Sequence, residues 1–428
     1  MKINSITDLQ HLSNRVCIGG IGLQKSLNIG QSVDILSFFP KNIPTYSKPS
    51  FDFVQSQALA ISEAVGEEKK ELISERRAQI ISMGEWWLDT LQHTEFPLLE
   101  RMTLFWHGHF TTSAGKVSWP ELIYNQNNLF RKYALGSFSE LLHSICLDPA
   151  MLIYLDASRN SADQPNENFA RELLELFTLG EGHYSEADII AAARAFTGWG
   201  YNVKKNQVQF NKKKHDFGVK VFLGKQGNFD AKDIINILLD TPRVSEFIAE
   251  KLWRVFVSNT NVKTEQIKRF AKRFKESNYS IKFLLLDIFD SEDFWSISNR
   301  GVLIKNPVEF TVGLIKELQL DDFDRYKYLY KINSQLGMQL FYPPDVKGWP
   351  IGNRWLNDST YLLRRKFVRD MLREFDHIQS ESQCCSNLSL NELKARFLVM
   401  DSANYLKDLG VIEKNLLNVL DDPTYQLR

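Results

Sequence analysis

The sequence predicts a mainly α-helical protein, a multi-helix globular body with a small β-hairpin insertion. Three observations support this fold class. Long proline-free stretches repeat their apolar residues with the helical period, many of these stretches begin with a capping residue, and only one short region alternates apolar and polar side chains. The chain has 428 residues, 43% of them hydrophobic, which suffices for a large core without stabilising disulfides.

The first predicted helices occupy residues 56–154. Residues 56–93 contain no proline and are rich in Ala, Glu, Lys and Leu, so they predict one long helix or two collinear ones. A second helix is expected over residues 97–110. Residues 128–144 and 139–154 each repeat apolar side chains with the helical period and predict further helices.

Capping residues mark the starts of the later helices. Pro165 and Asn166 open a helix that Gly180 closes, the usual order of proline first and glycine last. Ser185 and Asp188 form a capping box before an alanine-rich helix. Further starts are predicted at Asp230, Thr241, Thr264, Ser291 and Asn306, and an arginine-rich helix is predicted over residues 358–376.

The β insertion is predicted at about residues 203–224. Within it, residues 208–224 alternate apolar and polar side chains on either side of a polar middle, a pattern that predicts a β-hairpin. Residues 201–225 hold seven lysines against a single acidic residue, Asp216. This basic segment predicts attraction to an anion, and a solvated charged face is the alternative.

The chain is predicted to divide near residue 377. Residues 379–390 are polar and rich in serine, which is typical of a linker. We therefore expect a helical main domain over residues 1–376, followed over residues 377–428 by the linker and a short helical C-terminal appendage.

Composition and missing motifs argue against several classes of protein. Lys+Arg and Asp+Glu both number 52, so the net charge is zero, unlike that of a basic nucleic-acid coat protein. No apolar run approaches the ~18 residues of a membrane span. The cysteines show no CxxC spacing, which argues against a disulfide scaffold and a Cys-rich zinc site. The absence of HExxH, GxSxG, GxxxxGK[ST] and GxGxxG argues against zincins, α/β-hydrolases, P-loop NTPases and Rossmann dehydrogenases.

Four segments resemble a bacterial family catalogued as domain of unknown function 1800. They are ERMTLFWHGHFTTS (100–113), NENFARELLELFTLGEGHYSEADI (166–189), AARAFTGW (192–199) and FYPPDVKGWP (341–350), and the similarity extends over roughly residues 9–370. These strings are long enough to be specific. The resemblance implies no particular activity, because the family is uncharacterised.

Two properties common among members of that family bear on partners and localisation. Many carry an export signal, and many are encoded beside a phosphatase/sulfatase-like protein, so the resemblance implies a protein partner of phosphatase/sulfatase-like type. The HLSNR string that matches the family begins at His11, so no signal is expected before it. As written, the chain is expected to be cytoplasmic, or exported if it is a trimmed mature form.

His107 and His109 form the first candidate site. Imidazole groups bind transition metals such as Zn, Fe and Cu, and two histidines at i and i+2 point to the same side when the backbone is extended. Gly108 can end the preceding helix and permit that form, whereas within a helix the two rings would diverge by about 200°. The alternative is a structural pair, hydrogen-bonded and packed beside Trp106.

Glu172 and His215 are the further predicted ligands of a divalent transition metal, which would be Zn, Fe, Cu or Mn. Three imidazoles and one carboxylate leave an open coordination position for water or substrate, as in catalytic metal sites. The prediction requires the fold to bring His215 to His107 and His109. A surface histidine beside an aspartate is the alternative.

Glu167, Glu175 or Asp216 is predicted as the general base, and Arg171 as an anion-binding residue. Glu175 follows Glu172 at i+3, so both lie on one helix face and can serve one cation, or act as a ligand and a base. The alternative is a solvated helix, because the i, i+4 pairs that Arg171 forms are worth only about 0.3–0.5 kcal/mol each.

The loop 341–350 carries the remaining candidates, the substrate-binding residues Lys347 and Trp349. Three prolines, aromatic rings and a glycine make this loop stiff, and stiff loops hold ligands well. The Trp349 ring can stack on a sugar or a planar group. The alternative is that the loop covers the helical body and buries Trp349.

Together these patterns predict a metal-dependent enzyme that hydrolyses or oxidises an anionic substrate. The alternative is a non-enzymatic helical protein that binds a protein partner or a glycan. Neither duplex nucleic acid nor a membrane span is expected.

Overall fold

The computed structural model describes residues 5–19, 34–49, 64–157, 160–202, 205–378, 388–403 and 406–428. Within these ranges it has nineteen α-helices and two antiparallel sheets of two strands each, which confirms the predicted mainly α fold. None of the helices in these ranges combines the length and the apolarity that a membrane span requires.

The N-terminal half is built from nine α-helices in the described ranges. They are α1 (Ile6–Val16), α2 (Gly66–His93), α3 (Pro97–His109), α4 (Ala114–Val117), α5 (Pro120–Tyr133), α6 (Phe138–Cys146), α7 (Pro149–Tyr154), α8 (Glu167–Glu172) and α9 (Glu186–Ala195). The predicted long helix is confirmed as α2, and the predicted residues 56–63 lie outside the described residues. A π-helix, Leu173–Thr178, continues α8 directly.

The second half contributes ten α-helices to the described ranges. They are α10 (Ala231–Asp240), α11 (Pro242–Phe256), α12 (Thr264–Glu276), α13 (Ile281–Phe289), α14 (Glu292–Trp295), α15 (Pro307–Glu317), α16 (Tyr326–Gln335), α17 (Asp358–Ile378), α18 (Leu390–Phe397) and α19 (Ile412–Leu420). Side-chain caps fix several starts, because Ser185, Asp230 and Asn306 each form a full capping box.

The β insertion consists of two short hairpins. Strand β1 (Trp199–Asn202) pairs with β2 (Gln207–Phe210), and β3 (Lys220–Phe222) pairs with β4 (Lys225–Gly227). The two apolar stretches of residues 208–224 therefore pair with other strands and not with each other. The second hairpin closes through Leu223 and Gly224, whose φ angles of 45° and 76° give the two positive values of a tight two-residue turn.

Two hydrophobic cores hold the helices together, and α3 contributes to both. Its Trp106 belongs to the first core and its Leu104 to the second. The second core also contains buried side chains from beyond the predicted boundary near residue 377, namely Leu393, Phe397, Leu416 and Tyr425. The boundary itself stays a prediction, because residues 379–387 of its linker lie outside the described residues.

Candidate functional site

A cavity of about 700 Å³ lies between the two cores. Helix α3 lines it through Phe105, Gly108 and His109, and α11 lines it through Phe247 and Lys251. The segment 344–355 covers part of it. Cavities of this size commonly accommodate small organic molecules.

Gly348 allows the proline-rich loop to reach α3. Its φ angle is +84°, and a Cβ atom at this position would lie 2.4 Å from the carbonyl oxygen of Gly108. Only glycine tolerates both conditions. The two glycines thus bring the loop against α3, and Trp349 follows with its ring in the cavity wall.

Lys251 and His109 are in direct contact at the cavity. The Lys251 Nζ lies 3.0 Å from His109 Nδ1 and 3.2 Å from the carbonyl oxygen of Leu176. The other ring nitrogen, His109 Nε2, lies 3.1 Å from the carbonyl oxygen of Phe177. Because a carbonyl can only accept, Nε2 carries the proton and Nδ1 is left as the acceptor for the lysine.

The end of the π-helix leaves these carbonyl oxygens available to side chains. The amides of Leu179 and Gly180 both donate to Leu174, so the last turn leaves carbonyls without a partner from the helix itself. Side chains bind them instead. Lys251 donates to Leu176, His109 to Phe177, and Arg243 to Leu179 at 2.7 Å. The negative end of the helix dipole favours the cations at this position.

Burial changes the protonation of the pair. Burial lowers the pKa of Lys251 from 10.5 to about 8, although the nearby Glu250 carboxylate opposes the change. The pKa of His109 lies well below 6.5, because the ring is buried and because Lys251 carries positive charge. At neutral pH, His109 is therefore neutral, and Lys251 is mainly protonated with a minor fraction of unprotonated amine.

The cavity lining carries an excess of positive charge. Seven lining residues are basic and four are acidic, which leaves three positive charges in excess. The basic ones are Arg101, Arg243, Lys251, Arg254, Lys347, Arg354 and Arg428, and the acidic ones are Glu181, Glu250, Glu309 and Asp345. A lining of this composition favours an anionic ligand.

The predicted pair of histidines does not share a ligand position. Helix α3 runs through Gly108 to His109, so the expected extended backbone at Gly108 is wrong. The helical bonding continues to the amide of Phe110, which donates to Trp106, and it turns the two rings to different sides. His107 lies in an aromatic cluster formed by Trp87, Phe130, Phe341 and Trp349, and burial lowers its pKa to about 3.

The predicted base candidates of α8 and the π-helix are held by other groups. Arg171 donates two hydrogen bonds of 2.8 Å to Glu186, and its distance to Glu167 is 3.9 Å. Glu175 accepts a hydrogen bond of 2.6 Å from Tyr184. The pKa of Glu172 is raised, first by burial and then by the Glu175 carboxylate, while Lys347 acts in the opposite direction.

His215 and Asp216 belong to the β insertion. The His215 Nδ1 lies 2.8 Å from the carbonyl oxygen of Thr197, and the ring contacts Phe217. Asp216 accepts hydrogen bonds from Arg194 at 2.6 and 3.2 Å, and this guanidinium lowers the pKa of the carboxyl. In the described part of the chain no group of three or more His, Cys, Asp or Glu converges as metal ligands.

Three of the predicted site residues line the cavity, namely His109, Lys347 and Trp349. The lining does not include His107, Glu167, Arg171, Glu172, Glu175, His215 and Asp216. Sequence reasoning missed Lys251 and the arginines around it. The available signal was in α11, where Arg243, Phe247, Lys251 and Arg254 recur at helical spacing and place cations and an aromatic ring on one face.

Comparison with known proteins gives one match. No curated protein and no solved structure matches the chain. A family model described as protein of unknown function (DUF1800) matches residues 11–423, which is nearly the whole chain. The match includes α3, the π-helix, α11 and the loop over the cavity. The chain therefore belongs to this uncharacterised family, as its four motif segments predict.

Proposed function

We propose that this protein is an enzyme that binds a small organic anion in the cavity and uses the Lys251 amine as a proton acceptor. The observation that carries the proposal is the contact between Lys251 Nζ and His109 Nδ1, 3.0 Å long, at the wall of a cavity with excess positive charge. A neutral imidazole and an amine that loses its proton readily suit acid–base chemistry near neutral pH.

The geometry around the amine supports this role. Two N–H bonds of Lys251 are directed to His109 Nδ1 and to the carbonyl oxygen of Leu176, which leaves the remaining position on the nitrogen for a proton or a lone pair. With a pKa of about 8, about a tenth of the amine is unprotonated at pH 7. A base with such a pKa both takes up and releases a proton at physiological pH.

The lining also supports a ligand with both a charged and an apolar part. Phe247, Trp349 and Trp355 contribute aromatic surface, and the exposed Lys347 and Arg354 lie among the charged lining residues. The Trp349 Nε1 is buried and has no hydrogen-bond partner among the described residues, as is unusual for a buried indole N–H.

A ligand screen followed by a variant pair tests the proposal. Small organic anions are added to the protein, and the thermal midpoint of unfolding is measured. Neutral oligosaccharides are added in parallel to test the glycan-binding alternative. Each stabilising compound is then incubated with the wild type and with Lys251→Met, and its conversion is followed by mass spectrometry. Lys213→Met, in the exposed run of lysines, is the matched control.

We expect conversion by the wild type and by Lys213→Met, and loss of conversion in Lys251→Met at an affinity that changes only a few-fold. Equal conversion by Lys251→Met would contradict the role of the amine. A thermal response to oligosaccharides alone would favour the glycan-binding alternative.

A metal-dependent enzyme is a separate proposal, which rests on the sequence patterns. Both ring nitrogens of His109 already have partners, so a metal ion would have to replace Lys251 there. Elemental analysis of protein purified without a His-tag or a chelator tests it. Near-stoichiometric Zn, Fe, Cu or Mn that is lost in His107→Ala/His109→Ala supports the metal, and no metal after soaking with divalent ions opposes it.

A second candidate function is binding of a protein partner through the β insertion. Phe217, Val219 and Val221 are 57%, 58% and 56% exposed, beside the lysines 212–214. Exposed apolar groups rimmed by charge mark interaction sites. The test is co-purification with the phosphatase/sulfatase-like protein that the family resemblance implies. Phe217→Ser/Val221→Ser should reduce it, and unchanged co-purification would oppose this surface.

A further inference from the structure

Arg101 and Arg428 meet at one wall of the cavity, on either side of Glu309. An Arg101 Nη1–H donates to Glu309 Oε1, and the Arg428 Nε lies 3.0 Å from Glu309 Oε2. All three side chains line the cavity and are more than nine-tenths buried. At this wall, one carboxylate therefore faces two guanidinium groups.

The residues behind this wall increase the imbalance of charge. Arg15, Lys305 and Arg364 are also buried, at 0%, 4% and 0% exposure, whereas the buried acidic side chain beside them is Glu317. The Tyr425 hydroxyl donates to Glu317 at 2.7 Å. Among the described side chains of this cluster, five cations thus accompany two carboxylates.

Burial of cations without enough carboxylates is costly, and the pKa values of Arg428 and Arg364 in the cluster are lowered as a result. The pKa of Arg428 is lowered to about 10, mainly by burial and also by the neighbouring Arg101, while Glu309 opposes the change. Burial also lowers the pKa of Arg364 to about 10. An added anion would offset this excess of positive charge.

Hydrogen-bond donors without a partner lie on the two arginines and on Trp349. The Arg101 Nε, the Arg428 Nη1 and the Trp349 Nε1 are buried and have no hydrogen-bond partner among the described residues. All three side chains line the cavity. Guanidinium groups bind oxyanions through charge-assisted hydrogen bonds.

We propose that the Arg101–Arg428 wall is the subsite for the phosphoryl group of a ligand, whether free phosphate or a phosphate monoester. The choice of a phosphoryl group follows from the charge, because a dianion offsets more of the three excess cations than a single carboxylate does. This inference rests on the proposed function, since it places the anionic group of the ligand in the same cavity. The remainder of a monoester extends from this wall among the other lining residues.

Glu309 gives the proposal a prediction with a definite sign. Its carboxylate offsets part of the positive charge of the two guanidinium groups that would bind the phosphoryl group, so it competes with the ligand for that charge. Glu309→Gln removes the competing charge and keeps an oxygen that can accept from Glu309's own capping partner, Asn306. Loss of Glu309's charge should therefore tighten binding, and loss of Arg428's charge should weaken it.

Isothermal titration calorimetry of the full chain tests both predictions with inorganic phosphate and with phenyl phosphate. We expect at least tenfold weaker binding to Arg428→Gln, at least threefold tighter binding to Glu309→Gln, and no change for the matched control Lys213→Gln. Circular dichroism checks the fold of each variant, and Trp349→Phe, which loses the N–H donor together with part of the ring, is the second variant if Arg428→Gln does not fold. Tighter binding of phenyl phosphate than of phosphate identifies a monoester.

Equal affinity of the wild type, Arg428→Gln and Glu309→Gln would overturn the proposal, as would loss of binding in Lys213→Gln or no heat from either probe. A carboxylate ligand from the screen that is converted through Lys251 without dependence on Arg428 would refute the subsite and leave the proposed function standing. No response to any anion would refute both.

Discussion

Replacement of Lys251 by methionine should change how stability depends on pH. The pKa of Lys251 is lowered from 10.5 to about 8 in the folded chain, so between these values the unfolded chain binds a proton that the folded chain does not. The free energy of unfolding of the wild type therefore rises with pH across this window. The full gain is about 3.4 kcal/mol, at about 1.4 kcal/mol for each pH unit.

Lys251→Met removes both the gain in stability at high pH and the loss of stability that burial of the charged amine causes at lower pH. Below pH 8 the variant no longer buries an ammonium group, but it leaves His109 Nδ1 without a donor, which costs about 1–3 kcal/mol. We expect the variant to be as stable as the wild type at pH 7 or up to about 2 kcal/mol more stable. A residue retained for chemistry commonly reduces stability in this way.

Urea unfolding at pH 7, 8, 9 and 10 measures the difference between the two proteins, with Lys213→Met as the exposed control. The stability of the wild type relative to Lys251→Met should increase steadily from pH 8 upwards, and relative to Lys213→Met it should stay constant. A constant difference for Lys251→Met, or a loss of more than about 3 kcal/mol at pH 7, would show that Lys251 is a fully charged structural residue.

Three further substitutions test buried contacts in the chain. Gly348→Ala should destabilise the chain by more than about 2 kcal/mol in urea unfolding, because the new Cβ meets the Gly108 carbonyl oxygen at a positive φ; an unchanged midpoint would contradict this. Glu100→Gln should cost about 3–5 kcal/mol, since Arg131 loses its buried counter-charge, and a loss under about 1 kcal/mol would oppose it. His107→Phe should be more resistant to acid unfolding than the wild type. The pKa of His107 is about 3 in the folded chain, so the wild type loses stability as the pH falls below 6.5, by about 5 kcal/mol at most. Identical acid midpoints for both proteins would refute this.

Local signals in the sequence predict most of the helices. Capping residues act within one turn, so Ser185 and Asn306 could be assigned as helix starts from their neighbours. Ser185 forms the predicted capping box, and Asn306 caps its helix with a box as well. Strand pairing depends on more distant residues. The alternation in residues 208–224 marks the strands, but the partners of β2 and β3 are β1 and β4, which carry weaker patterns.

The candidate site was harder to predict, because its contacts join distant parts of the chain. His109 and Lys251 are 142 residues apart, and nothing near either residue indicates the other. For His107 and His109, the prediction depended on whether α3 ends at Gly108. The tertiary contact of that glycine with Gly348 is compatible with the helix continuing through it, and the local sequence does not contain this information.

The physical features of the cavity are easier to explain by function than by stability. A buried amine, a cluster of five cations with two carboxylates, and unpartnered N–H donors on Arg101, Trp349 and Arg428 each reduce the free energy of unfolding. The π-helix adds an irregular turn beside them. By contrast, the buried Arg131 and Glu100 side chains are matched one to one. A ligand bound as proposed would supply the negative charge that the groups at the cavity lack.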